Sequence, residues 1–263
     1  MLKVLNKSLK YIYKTKSVWW YTASAKTRAR YVRTIIGSFW LGISNLLFII
    51  CLGFFYGIIL NVNDFINYFI YLGIGYSIWT IIGGSINSAS EIFSSKSNDL
   101  INSNIDSLFY VMEEWCFQIQ TFFQSFFMVI IFLGFLDHSV LINFFIYTPI
   151  HLINISLFIF WAPLTVCLLA ARYTDFYQLV PVATQLIFLI SPILYQEKNL
   201  GSFSFLSNLN PIYKVLALFR DSIIEGKFFF KGSMIILLIN LIMSLISLLI
   251  LNKYKKRLVF YFS

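Results

Sequence analysis

The chain carries little charge for its length, and one long stretch carries none. Charged residues make up 12% of the 263 residues, where a soluble domain carries about 25%. Between Thr34 and Leu60 there is no acidic or basic side chain. At ~1.5 Å per residue, a helix from Ile35 to Leu60 would span ~39 Å, enough to cross a ~30 Å hydrocarbon core. With a mean hydropathy of +0.79, this excludes an ordinary soluble domain and predicts an all-α integral membrane protein.

Cysteine and histidine are also scarce, with three and two residues. Cys51, Cys116 and Cys167 form no CxxC pair and lie inside or at the start of apolar segments, so we interpret them as small core residues. His151 has no second His, Cys or acid at ligand spacing, which favours a packed, hydrogen-bonded histidine over a metal ligand. We therefore predict no metal site and no catalytic residue.

Motifs for nucleotide chemistry and for a cleavable leader are missing as well. The chain has no GxxxxGK[ST] loop, so ATP and Mg²⁺ would have to be bound by a partner and no cofactor is expected in this chain. The first apolar run starts too late and is too long for a signal peptide. The first span is therefore expected to remain in the mature protein.

Basic residues are what the chain does have, and they cluster at its two ends. The net charge is +9, nine of the 20 Lys and Arg precede Thr34, and four more lie between Lys253 and Arg257. Charges that flank apolar segments indicate topology and contact with anionic lipids, not nucleic acid. With about six spans, fifteen of these residues fall on one side, which predicts cytoplasmic termini.

The alternation of apolar and polar segments predicts a single transmembrane domain, 1–263. In 1–34, lysines and aliphatic residues recur on separate faces of a helix, which predicts an amphipathic interface helix; a disordered basic tail is the alternative. Residues 35–251 form the six-span core and 252–263 a basic cytoplasmic tail. The predicted spans are 35–60, 65–89, 109–136, 140–171, 176–195 and 232–251.

Two loops between spans have helical patterns of their own. Residues 90–108 are polar with isolated apolar positions, including Ile92, Phe93 and Leu100. This pattern fits a short amphipathic helix that docks a soluble partner and an ordinary solvated loop equally well. Between the fifth and sixth spans, Asn210 can cap a helix that starts at Pro211. Its apolar face predicts a helix that lies in, or dips into, the outer leaflet.

The fifth span has an aromatic and amide stripe. Its members recur every three or four residues and so share one helix face; they are Tyr177, Pro181, Gln185, Phe188, Pro192 and Tyr195. Aromatic rings stack on the CH faces of sugars, and amides bind hydroxyl groups. The stripe predicts a pore lining for a sugar, with ordinary helix packing as the alternative.

Four blocks stand in order along the chain: RARYVRTIIGSFWLGISNLL at 28–47, SINSASEIF at 85–93, ARYTDFYQLVPVATQLIFLISPILY at 171–195 and LNPIYKVLALFRDSI at 209–223. Together they resemble the polysaccharide-export permeases, the type-2 ABC transporter membrane subunits that export O-antigen of lipopolysaccharide, capsular polysaccharide or teichoic acid. The resemblance implies a multi-pass homodimer in the bacterial cytoplasmic (inner) membrane. It also implies two copies of a nucleotide-binding ATPase subunit and an undecaprenyl-linked polysaccharide as substrate.

The resemblance also suggests roles for particular residues. In the family the first and fifth spans line the channel, which here points to Trp40, Ser44, Phe48, Phe55, Tyr177, Gln185, Phe188 and Tyr195. The coupling loop falls on 90–108, with Glu91, Asn98, Asp99, Asn102 and Asp106, although it lacks the basic and proline residues common there. The outer gating helices fall on 203–226, with Pro211, Tyr213, Phe219 and Arg220.

The basic edge of the first span has two readings. Arg28, Arg30 and Arg33 can receive the pyrophosphate of a lipid-linked glycan, or they only set the topology.

Two other functions remain open. A type-2 permease for a small lipid or drug would share this architecture. A membrane-embedded glycosyl- or phosphotransferase would need clustered acids, but Asp64 and Asp137 are solitary, and the pair Glu113 and Glu114 has no neighbouring Asp or His.

Overall fold

The computed structural model describes residues 2–103 and 105–262, and in these ranges the chain is helical without β-strands. The α-helices, numbered in chain order, are α1 (Leu2–Lys14), α2 (Lys16–Tyr31), α3 (Trp40–Ile59), α4 (Phe65–Ala89), α5 (Ser97–Asn102), α6 (Ser107–Leu136), α7 (His138–Tyr147), α8 (Pro149–Arg172), α9 (Phe176–Ile190), α10 (Ser204–Leu209), α11 (Pro211–Glu225) and α12 (Phe230–Phe262). Short 3₁₀ turns occupy Gly37–Phe39 and Glu197–Phe203.

In the part of the chain that the structure describes, five helical segments are long and apolar enough to cross a membrane. They are Gly37–Ile59, Phe65–Ala89, Ser107–Leu136, Pro149–Arg172 and Phe230–Lys255. This confirms the predicted all-α integral membrane fold. The last helix continues through the basic C-terminal tail as far as Phe262.

The predicted fifth span, 176–195, is wrong at its C-terminal end. Helix α9 stops at Ile190 and has 15 residues, so at ~1.5 Å per residue it covers ~22 Å and is shorter than a ~30 Å hydrocarbon core. Pro192 gives the reason, because a proline disfavours helical dihedrals in the residue before it. Ser191 is extended, with φ −76° and ψ 134°.

The predicted fourth span, 140–171, is also wrong, because it consists of two helices. Helix α7 ends at Tyr147, and Pro149 occupies the first turn of α8. Proline suits a helix start but cannot supply the N–H group that would continue α7. The membrane-crossing segment here is therefore α8 alone.

The N-terminal segment is amphipathic, as predicted, and is split into two helices. Leu5 is buried while Lys7, Lys10 and Lys14 are exposed. The Trp19 indole N–H donates a 3.2 Å hydrogen bond to the carbonyl of Ile12, which holds α2 against α1.

Different sets of helices pack together at the two ends of the bundle. Helices α1, α2 and α5 pack against the start of α6 and the C-terminal half of α12, and we call this the basic end. At the opposite end α7 and α11 pack on each other and on α4, α6 and α8. Between the ends α4 is central, because 78% of its most apolar stretch is buried, against 22% for the segment Gly37–Ile59.

Both loops contain short helices, as their sequence patterns indicate. Residues 90–96 form turns and α5 follows, with Ile92, Phe93 and Leu100 buried as expected for an amphipathic segment. The Asn210 side chain caps α11 by accepting hydrogen bonds from the amides of Ile212 at 3.0 Å and Tyr213 at 3.2 Å.

The cysteine prediction is correct at two positions of three. Cys116 and Cys167 are buried, and Cys51 is exposed on α3. Cys51 is therefore not a core residue, since α3 presents most of its surface outward. His151 is packed as predicted, 2% exposed, with its Nε2 2.8 Å from the Ser222 hydroxyl.

Candidate functional site

A continuous groove runs from the basic end of the bundle along α2, α3, α4, α6 and α9. It consists of three adjoining cavities of about 570, 330 and 410 Å³. The first two share Leu41, Gln118 and Thr121 as lining residues. The second and third share Phe48, Tyr76 and Thr80. We call these three cavities together the groove.

The first part of the groove is lined by two cations, Lys26 and Arg30, and by two acids, Glu91 and Glu114. Lys26 and Arg30 are four residues apart on α2 and therefore lie on one face of that helix. Both approach the Phe117 ring, Lys26 Nζ at 4.4 Å and Arg30 Cζ at 5.9 Å from its centroid. Lys26 also pairs with Glu114 of α6. Glu114 in turn accepts a 2.8 Å hydrogen bond from the Gln118 amide, so the acid is held by two partners.

The middle of the groove is lined by amides and hydroxyl groups. The Asn45 amide donates to the Ser125 hydroxyl at 2.9 Å and to the Ser77 hydroxyl at 3.4 Å, which joins α3 to α6 and α4. Among the described residues the Asn45 amide oxygen has no hydrogen-bond donor. It is available to a donor that enters the groove, such as a hydroxyl group.

The far part of the groove is aromatic. The Phe48 and Tyr76 rings are stacked with centroids 4.9 Å apart. Phe188 of α9 lies 5.5 Å from Trp79 and 6.3 Å from Tyr76. The Thr184 hydroxyl donates to the Asn87 side chain at 2.7 Å and fixes α9 beside α4. The result is a surface of rings with polar groups at its edge.

Four of the eight predicted channel residues line the groove: Ser44, Phe48, Gln185 and Phe188. The other four do not line its cavities. Trp40 and Phe55 lie nearer the ends of α3 and are 47% and 64% exposed. Tyr177 is half-buried at the start of α9. Tyr195 follows the end of α9, where its hydroxyl donates to the carbonyls of Leu189 and Ile190 at 3.0 Å.

Only Arg30 of the three predicted phosphate-binding arginines lines the groove. Arg28 is two positions away on α2, about 200° around the helix, and Arg33 follows the end of α2; both are exposed. Sequence reasoning missed Lys26, four residues before Arg30. It also missed that Glu114, Gln118, Thr121 and Ser125 recur at spacings of 4, 3 and 4, which places them on one face of α6.

The predicted coupling residues fall into two groups. Glu91 is exposed and lines the first part of the groove. Asn98, Asp99 and Asn102 are exposed on α5. Asp106 instead stabilises the fold: it accepts the Leu108 amide at 3.1 Å and the Lys255 ammonium at 2.9 Å. Burial and then the Asp106 charge raise the pKa of the Tyr11 phenol, so this side chain of α1 stays protonated.

The predicted outer-gate residues lie in the packed opposite end. Pro211 is exposed at the start of α11, whereas Tyr213, Phe219 and Arg220 are buried. The Arg220 guanidinium donates to the Pro192 carbonyl and to Asp221, both at 2.9 Å, and lies 3.8 Å from the Tyr71 ring centroid. Arg220 therefore ties the chain after α9 to α4 and α11.

The groove is suited to binding, because charged side chains, amides with hydroxyl groups, and aromatic rings line its adjoining cavities. Within 2–103 and 105–262 no group of three or more His, Cys, Asp or Glu residues could hold a metal ion. Comparison of the chain with protein-family models and with curated proteins returns no match. The case for a function therefore depends on the site itself and on the sequence blocks.

Proposed function

We propose that this chain is the membrane subunit of an ATP-driven ABC exporter that moves a lipid-linked polysaccharide, with O-antigen as the first candidate, across the bacterial cytoplasmic membrane. The observation that carries the proposal is the groove, in which cations, amides with hydroxyl groups, and stacked aromatic rings follow one another along one path.

Each part of the groove matches one part of such a substrate. Lys26 and Arg30 supply cations for the phosphates that join the glycan to its lipid. Asn45 and Gln118 supply hydrogen bonds for sugar hydroxyls, and the Phe48 and Tyr76 rings supply faces for sugar CH groups. A path for a purely apolar lipid would not need the polar middle.

ATP hydrolysis belongs to a separate partner in this proposal. The segment 90–108 presents Asn98, Asp99 and Asn102 outward as a docking surface for the ATPase. The same segment contributes Glu91 and Ser95 to the groove wall. Closure of two ATPase subunits would therefore move part of the groove directly, through the chain that they touch.

A second copy of the chain completes the channel in this proposal. Helices α3 and α9 border the groove and expose apolar residues on their outer sides, including Phe54, Ile58, Val182 and Leu186. Two such surfaces facing each other would enclose the paired grooves between two permease subunits. Both termini would then lie on the cytoplasmic side, because α1 packs against α12 at the basic end and the chain would cross a sixth time through α9 and the residues that follow it to the opposite end. The basic end would there meet the ATPase and anionic lipid.

The test is to delete the gene and locate the glycan by compartment, with surface staining beside extraction of cytoplasmic undecaprenyl-linked polymer. The proposal predicts long polymer inside and none outside, restored by the wild-type chain. Absence of polymer from both places would contradict it in favour of a synthetic enzyme. Unchanged surface glycan would contradict it in favour of a permease for a small lipid or drug.

A further inference from the structure

A separate cleft lies between α8 and α12, on helices that do not line the groove. It has a volume of about 290 Å³ and is mainly apolar, with Arg172 as its cationic residue. Its lining includes Leu168, Leu169, Ile250 and Leu258, together with the rings of Tyr254 and Tyr261. We call it the α8–α12 cleft.

The α8–α12 cleft lies where two membrane-crossing segments end. Arg172 is the last residue of α8, and the long apolar run of α12 ends at Leu251, three residues before Tyr254. Tyrosine and arginine are the side chains that prefer the boundary between hydrocarbon and headgroups. The cleft therefore opens at the depth where a phospholipid changes from acyl chain to phosphate.

Arg172, the cation that lines the cleft, lacks a negative partner, as do Lys253 and Arg257 of α12, which do not line it. Arg172 contacts the Tyr173 ring at 5.1 Å, while Lys253 and Arg257 lie 5.7 and 5.9 Å from the Tyr254 ring centroid. None of the three forms an ion pair with any residue that the structure describes, whereas the neighbouring Lys255 pairs with Asp106. The described lining of the cleft also contains no acid.

We propose that the α8–α12 cleft binds an anionic phospholipid, with one acyl chain among the leucines and the phosphate on the Arg172 guanidinium. Guanidinium groups bind phosphate oxygens in bidentate fashion, and basic pockets between membrane helices take anionic headgroups. The apolar lining argues against a free sugar or inorganic phosphate as occupant. The proposal does not depend on what the groove transports.

The bound lipid would also act on the basic end of the bundle. Helix α12 carries both Tyr254, which lines the cleft, and Lys255, which holds Asp106 at the end of the segment 90–108. A lipid that fills the cleft would fix α12 and α8 at this point. The bound lipid would thereby stabilise the Lys255–Asp106 ion pair.

The test uses the full-length protein in detergent, titrated with phosphatidylglycerol or with phosphatidylcholine of the same chains, and read by native mass spectrometry and thermal unfolding. We expect phosphatidylglycerol to bind the wild type more tightly and to raise its melting temperature more. Arg172→Gln should weaken phosphatidylglycerol about tenfold, the scale of one charge-assisted hydrogen bond. Arg33→Gln removes the same charge from an exposed site at the end of α2 and should bind as the wild type does.

A second variant tests the apolar part without changing charge. Leu169→Trp fills the cleft from a position that is 43% exposed, so it should fold and still lose the lipid. It also provides the test if Arg172→Gln does not fold. The proposal would be overturned if the two lipids bound the wild type equally, or if Arg172→Gln and Leu169→Trp kept the wild-type affinity for phosphatidylglycerol. It would also be overturned if Arg33→Gln lost as much affinity as Arg172→Gln, or if glycerol phosphate alone stabilised the protein as much as the lipid does.

Discussion

Two polar regions of this protein differ in how their hydrogen-bonding groups are used. At the opposite end, Arg220 is 2% exposed and its guanidinium is satisfied by Pro192, Tyr213 and Asp221. In the groove, the Lys26 side chain is 48% exposed, and Asn45 keeps an acceptor that no described donor occupies. The first arrangement stabilises the fold, and the second is available to a ligand.

Because of this difference, substitutions in the two regions should have different effects. The block at 209–223 contains residues that pack and cap, so substitutions there should change stability. The groove residues come from five helices and include the Asn45 amide oxygen, which has no donor among the described residues, so substitutions there should change export and leave folding intact. Each of the following predictions tests this separation.

The largest effect is expected for Arg220→Ala. This substitution removes the buried guanidinium that donates to the Pro192 carbonyl, the Tyr213 hydroxyl and Asp221, and leaves Pro192 with the Tyr71 hydroxyl as its donor. We expect the free energy of unfolding in detergent to fall by about 3 kcal/mol. Arg33→Ala, which removes an exposed arginine, should leave the free energy of unfolding unchanged. Equal unfolding curves for the two variants would show that the Arg220 contacts contribute nothing.

The next effect is expected for Arg30→Glu, which reverses the charge of the groove cation that forms no ion pair with any described residue. Export should fall about tenfold or more because a carboxylate repels a phosphate where a guanidinium would bind it. Surface glycan per molecule of correctly inserted protein is the measurement. Arg28→Glu makes the same charge change outside the groove and should export normally. Normal export by Arg30→Glu would count against phosphate binding there.

A smaller effect on stability is expected for Asp106→Ala. It removes a helix N-cap and the ion pair with Lys255, which together stabilise by about 1–1.5 kcal/mol. Asp99→Ala is the matched control, because Asp99 is 58% exposed and lies 3.9 Å from Lys96. If thermal unfolding shows equal losses, the distinction between a fold-stabilising and a docking acid in this segment is wrong.

The smallest effect is expected for the Lys26–Glu114 pair. Lys26 is nearly half exposed, so solvent screens the pair, and we expect a coupling energy of about 0.5 kcal/mol. A double-mutant cycle with Lys26→Met and Glu114→Gln measures it through unfolding. A coupling of several kcal/mol would mean that this end of the groove is as tightly packed as the Arg220 site.

Much of the fold follows from the sequence because long apolar runs and proline positions are local signals. Asn210 and Pro211 predict the start of α11, and Lys3 to Lys14 predict an amphipathic helix. The breaks at Thr148 and Ser191 were missed because the apolar pattern continues through them, although Pro149 and Pro192 mark both.

The groove was only half predictable. Phe48 and Phe188 were found through their spans, but Asn45, Tyr76 and Trp79 were not, because their importance depends on which helices meet. Arg220 was assigned to a gate, while its burial against Tyr71 depends on a contact between α4 and α11. Helix packing across the chain, not local pattern, decides these roles.

The most direct measurement is site-specific photo-cross-linking in cells that make the glycan. A photoreactive amino acid replaces Thr121, which lines the groove, or Phe123, which is 46% exposed two residues away on α6. The proposed function predicts a glycan-carrying product from position 121 only, absent from cells that cannot make the polymer. If both positions were labelled equally, or if position 121 were not labelled in an export-competent protein, the groove would not be the path of the substrate.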